Sequence, residues 1–194
     1  MECQHYNKYL FPRDFDCIGD VAVHCDLKKL CIAVDEALQF DIIPLFCYDF
    51  VKEILENFDS EEEKWKRLLG CGSYEWNGRS YLNMGFKRVW VYYSYARYLL
   101  INQMNDTANG TVRKNNEFSL PTPLKEVTDF SNKYRSMGRE AYESVKEYLC
   151  RVREDYEKFD DCGCPKVCGC KGACSCGKTK KLTGVRFKTI SGGF

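Results

Sequence analysis

Between Leu82 and Met104 the chain carries a helical pattern that is apolar on two faces, and this limits what it can fold into. Leu82, Phe86, Val89, Trp90, Tyr93, Arg97, Leu100, Ile101 and Met104 follow the i, i+3, i+4, i+7 spacing of one buried face. Tyr92, Tyr95, Tyr98 and Leu99 make much of the opposite face aromatic or apolar as well. Such a helix must be covered on both sides, so it forms the centre of a bundle or lies at a subunit interface. Trp90, Tyr93, Arg97 and Leu100 are its expected structural core. Arg97 is the odd residue of the face, and its five donors call for carboxylates or loop carbonyls.

The flanking patterns are also helical. Asp26 is a candidate N-cap for a helix from Leu27 to about Phe40, with Leu27, Leu30, Cys31, Val34 and Leu38 on one face. Pro44 permits a new start, giving a second helix from Leu45 to Asn57 with Phe46, Phe50, Ile54 and Phe58 inward. Ser60 and Glu63 form a capping-box pattern for a short third helix ending at Gly70. Tyr74 to Tyr81 reads as a β-hairpin around Asn77-Gly78. Residues 107–123 read as an exposed loop, with Asn109-Gly110 for a turn, Arg113 and Lys114 as charge, and Pro121-Thr122-Pro123 to end it. The longest pattern runs from Leu124 to Phe159 on a near-heptad stripe of Leu124, Val127, Ser131, Tyr134, Gly138, Ala141, Val145, Tyr148 and Val152. A helix that long exceeds the needs of a domain this size, so its end is expected to project or to pack on another copy, with Gly138 as a kink.

The fold expected is therefore mainly α: a bundle of about four to five helices with a small β-hairpin and a long C-terminal helix, followed by an extended cysteine-rich tail. The divisions are an irregular segment 1–25, a helical domain 26–160, a cysteine segment 161–176 and an extended basic arm 177–194. Cys3, His5, Cys17, His24 and Cys25 in the first segment fit no zinc spacing. The N-terminus lacks the apolar run of a signal peptide, and no stretch of 18 uninterrupted apolar residues suggests a membrane span. With thirteen cysteines in a chain of 194 residues and an ordinary helical core, the thiols are expected to be reduced or metal-bound.

The tail holds the strongest local motif. Cys162, Cys164, Cys168, Cys170, Cys174 and Cys176 make three C-x-C pairs at a six-residue period, interleaved with glycine. C-x-C places two thiolates close enough to share a soft metal, and four would satisfy tetrahedral zinc, which is the default ion should this tract bind one. The spacing is not that of a zinc finger or ribbon, and no cofactor is required for folding. Beyond it, Val185 and Phe187 share one side of an extended strand and Arg186 and Lys188 the other, with Ile190 following. A lone strand needs an edge to pair with, so this arm is expected to bind a partner. Residues 162–194 contain seven basic side chains and no acidic one, whereas the whole chain carries +1. That asymmetry suits an acidic partner.

Nothing in the sequence indicates an enzyme. There are two histidines, no glycine-rich phosphate loop and no nucleophile elbow or H-E-x-x-H. The acidic run Glu154, Asp155, Glu157, Asp160 and Asp161 reads as the solvated end of a helix.

Two segments carry a resemblance: IGDVAVHCDLKKLCIAVDEALQFDIIPLFC (18–47) and YYSYARYLLINQMNDTANGTVRKNNEFSLPTPLKEVTDFSNKYRSMG (92–138). They are similar to the head-to-tail connector proteins of crAss-like bacteriophages and, more distantly, to helical neck adaptors of tailed phages. The resemblance implies a non-enzymatic virion protein at the head-tail junction, assembled in the host cytoplasm. It implies a homo-oligomeric ring, usually of 12 copies, docked beneath the portal protein, bound below by the next tail or ring protein, and continuing the channel for genomic DNA. No membrane is involved. In that setting Arg113 and Lys114 would contact the portal or the DNA channel, and the arm around Val185 and Phe187 would pair with a neighbour. The alternative from the residues is a cytoplasmic metal-binding regulator with a zinc tail and a nucleic-acid-contacting arm.

Overall fold

A computed structural model describes residues 9–10, 12–18, 26–107, 110–113 and 122–159. It is the mainly helical bundle expected. Helix α5 (Phe86–Asn102) runs through the middle, with α1 (Leu27–Ala37) on one side and α6 (Leu124–Arg151) on the other. This sandwich is why α5 needs two apolar faces: Phe86, Val89, Trp90, Val91, Tyr92, Tyr93, Ala96 and Tyr98 are all buried. Polar pins fix the stacking. The Trp90 indole donates to Val34 O of α1 at 3.0 Å, and Ser131 Oγ of α6 donates to Ala96 O of α5 at 2.8 Å. Each satisfies a polar group that would otherwise be costly to bury.

Asp26 caps α1 as its sequence suggests, accepting from Lys29 N at 3.2 Å. The helix does not stop near Phe40. It widens into a π turn, Leu38–Ile42, in which Ile43 N–H bonds Leu38 O five residues back, and it continues as a single turn α2 (Ile43–Phe46). Pro44 supplies the reason: it cannot donate to Phe40 O, and its ring crowds that carbonyl, which a wider turn relieves. The true break comes at Cys47, whose φ of 67° separates α2 from α3 (Tyr48–Glu56). Helix α4 (Glu63–Leu69) ends at Gly70, but its N-cap is Glu62 and the Ser60 hydroxyl accepts from Glu62 N instead of forming a capping box.

Strands β1 (Gly72–Trp76) and β2 (Arg79–Asn83) pair antiparallel, with Asn77 and Gly78 both at positive φ, the two-residue turn that Asn-Gly favours. The hairpin docks on the end of α6 through Arg151, whose guanidinium lies 3.5 Å from the Tyr81 ring centre and donates to Tyr74 Oη at 2.6 Å.

Two expectations for α6 fail. Gly138 does not kink it; the helix is continuous, and the missing side chain lets Tyr92 and Tyr93 of α5 approach. Nor does its C-terminal part project. The helix ends at Arg151, a 3-10 turn follows, and the chain folds back so that Tyr156 and Phe159 are buried against Trp65 and Phe50. The Tyr156 hydroxyl donates to Lys64 O at 2.5 Å, which ties this return to α4. Leu27 and Leu124, expected on buried faces, are exposed because each opens its helix ahead of the packed turns, and Leu82 is exposed because it belongs to strand β2 and not to α5.

Candidate functional site

Two features of the described chain are candidates for a functional site. The first is a ribbon where a plain loop was expected. β3 (Met104–Thr107) and β4 (Gly110–Arg113) pair antiparallel, Met104 opposite Arg113 and Thr107 opposite Gly110. Gly110, expected in a turn, opens β4 instead, Asn109 lies outside the described residues, and the alternation here is too short to announce strands. The ribbon pairs with nothing but itself among the described residues. It is anchored at its base, where the Lys29 ammonium donates to Ile101 O and Met104 O at 3.3 and 2.5 Å. Arg113 thus stands at the base of the ribbon and not at its tip; Lys114 lies outside the described residues, as do the tail cysteines Cys162 to Cys176 and the arm Val185 to Ile190.

The second is a groove of about 660 Å³ between the π turn and one face of α6. Its α6 wall carries Asn132, Arg135, Ser136 and Arg139, the i, i+3, i+4, i+7 positions of one stripe, with Glu140 beside them. The facing wall is Phe40, Pro44 and Leu45, and Tyr93 of α5 lines the floor. Arg97 pairs with two carboxylates beside this groove. Its Nε donates to Asp41 Oδ2 at 2.5 Å, its Nη1 to Glu36 Oε2 at 3.3 Å, and its guanidinium lies 5.5 Å from the Phe40 ring centre. Burial pulls the Arg97 pKa down, but the two carboxylates outweigh it and hold it above the ordinary value.

Asp41 is thereby largely spoken for, and Arg135 Nη1 reaches its other oxygen only at 3.7 Å. Arg139 lines the same groove as Tyr93. Burial raises the Tyr93 pKa, Asp41 adds to the rise and the two arginines oppose it, so all three charged groups sit around that hydroxyl. The sequence pattern passed over this place, because a polar stripe on an amphipathic helix reads as solvated surface. A proline inside a helical pattern was the signal that the opposite wall would be irregular.

Of the expected core residues, Trp90 and Tyr93 are buried and Arg97 is ion-paired, but Leu100 is only half-buried, since it lies in the last turns of α5 where the cover thins. Cys31, buried, and Cys71, exposed, are not in disulfides, whereas Cys47 and Cys150 are disulfide-bonded, against the expectation that every thiol stays reduced or metal-bound. No group of three or more potential metal ligands occurs among the described residues. No helix among them is long and apolar enough to cross a membrane.

Residues 42–169 match the model of a family of unknown function, DUF6712. The chain belongs to this family. The matched span takes in α2 to α6, and hence the ribbon and the α6 wall of the groove, while α1 and most of the π turn precede it. No curated protein and no solved structure matches the chain.

Proposed function

We propose that this DUF6712 protein is a non-enzymatic structural subunit of a phage head-to-tail connector, forming a ring under the portal. The observation that carries the reading is the β3–β4 ribbon. A two-stranded ribbon is marginal in water without further cover, and this one follows directly on the central helix and carries Arg113, which in this reading contacts the portal or the DNA channel. The similarity of residues 18–47 and 92–138 to connector proteins supports the same reading. Ring formation would add many weak contacts whose summed effect exceeds any one of them.

The test is to mix the purified chain with the portal of the same genome and image the particles. A coaxial ring added to the portal, with its copy number read directly, is the expected result. Arg113→Glu with Lys114→Glu should weaken docking while the helical signal and melting temperature stay unchanged. A folded chain that adds nothing to the portal at low salt would overturn the proposal. Stoichiometric zinc in such a chain, with salt-sensitive binding of nucleic acid, would instead favour the regulator.

A further inference from the structure

We infer that the groove between the π turn and α6 is a docking site for an acidic peptide segment of a partner protein. One carboxylate of that segment lies between Arg135 and Arg139, and an adjacent aromatic or large aliphatic side chain lies on Phe40, Pro44 and Leu45. This goes beyond the connector reading and stands whether or not that reading holds.

The argument begins with unspent donors. Arg97 takes Asp41 at 2.5 Å, so the nearest carboxylate to Arg135 is that same, already engaged group at 3.7 Å. The Arg135 side chain is 41% exposed and keeps most of its five donors. Arg139, one turn further on, is exposed and lines the same groove. Two guanidinium groups one helical turn apart, flanked by the Asn132 amide and the Ser136 hydroxyl, offer a convergent set of donors, and of the two carboxylates that line the groove Asp41 is bonded to Arg97. Arginine forks match carboxylates in a bidentate geometry.

The opposite wall sets the rest of the ligand. Phe40 is 63% exposed, an unusual state for a phenylalanine that shares a wall with Pro44 and Leu45. Its position is held by the π turn and by the Arg97 guanidinium behind it, so the apolar wall is fixed in advance. The groove's volume lies within the range of ligand-binding clefts. A nucleic acid strand would also supply anions and flat rings, but it brings a charge at every step. Asp41 and Glu140 in the same groove would meet that run with repulsion, whereas a peptide can offer one carboxylate beside one apolar side chain.

The experiment pans the immobilised full-length chain with a random dodecapeptide library and measures the enriched sequences as fluorescein-labelled peptides. Enrichment of Asp or Glu next to Phe, Tyr, Trp or Leu is expected. Replacing both arginines, Arg135→Gln with Arg139→Gln, should weaken those peptides by at least about tenfold, the loss of charge-assisted hydrogen bonds. Asn132→Trp, which fills the groove from an exposed position and leaves the charges alone, should do the same and serves if the double variant fails to fold. Peptides without acidic residues, or acidic peptides whose affinity neither variant changes, would overturn the proposal. So would arginine-dependent binding of a labelled oligothymidine by a chain that enriches no acidic peptide.

Discussion

Gly138 of α6 lies against the ring of Tyr93 on α5: a Cβ at this position would sit 3.0 Å from Tyr93 Cε2 and 3.4 Å from Tyr92 Cβ. The two longest helices therefore cross where one of them has no side chain. Replacing Gly138 by alanine sets a helix-propensity gain of about 1 kcal/mol against crowding of a similar size. The expected net change in a urea melt is small. Gly138→Val adds two methyl groups beyond the Cβ of alanine with no room for them, and a loss of about 2 kcal/mol is expected. Equal stability of the valine variant and the parent would mean that the crossing is looser than the contact distances indicate.

Gly85 is a stricter case. It enters α5 at φ +83°, and a Cβ there would meet Gly70 C and O at 2.6 Å, backbone against backbone. The Gly85 amide also donates to Asn83 Oδ1 at 3.0 Å, while Asn83 Nδ2 donates to Arg67 O at 2.6 Å, so the junction of β2, α4 and α5 is locked from several sides. Gly85→Ala should cost about 3 kcal/mol, more than an ordinary loop substitution, because both the dihedral and the space are wrong. Thermal unfolding followed by circular dichroism checks this, with Gly72→Ala as a control, since no atom lies within 4 Å of a Cβ there.

The ion pair behind Phe40 gives a third expectation. The Arg97 and Asp41 side chains are 18% and 10% exposed, so removing one partner leaves the other poorly solvated. Arg97→Met should lose about 3 kcal/mol, at the lower end for a buried pair because Arg135 can partly replace it. Adding Asp41→Asn to that variant should restore a good part of the loss, since the stranded charge is then gone. A double-mutant cycle in urea reads this directly; simple additivity of the two losses would show that the pair is uncoupled.

These residues also show what the amino-acid pattern could and could not reveal. The buried faces of α1, α3 and α5, the Asn77-Gly78 hairpin and the role of Arg97 were legible, because periodicity, turn chemistry and an ionic residue on an apolar face are local signals. The return of Tyr156 and Phe159 was not. The heptad-like stripe ran on past Arg151, and only the packing of Trp65 and Phe50, far away in sequence, turns the chain back. The groove was hidden for a related reason. Arg135 and Arg139 look like any solvated pair until Pro44 widens the opposite helix and sets Phe40 before them. Long-range partners decide both, and a sequence read along its length does not pair them.

That returning segment makes the fold sensitive to alkali. Burial raises the Tyr156 pKa first, with the Tyr148 hydroxyl adding to the rise, and burial likewise raises Tyr148. A phenol whose pKa is higher in the folded than in the unfolded chain keeps its proton in the native state after the unfolded state has lost it. Its contribution is complete below the unfolded value near 10.0 and falls as pH climbs from there toward the folded pKa. Each such tyrosine should steepen the loss by up to about 1.4 kcal/mol per pH unit. Stability from urea melts should accordingly be flat on this account up to about pH 10 and drop beyond it. Tyr156→Phe should lower stability at neutral pH by about 1 to 2 kcal/mol, through loss of the bond to Lys64 O, yet show a shallower alkaline decline than the parent. Parallel alkaline slopes for the two proteins would mean that Tyr156 ionises as freely in the folded chain as in the unfolded one.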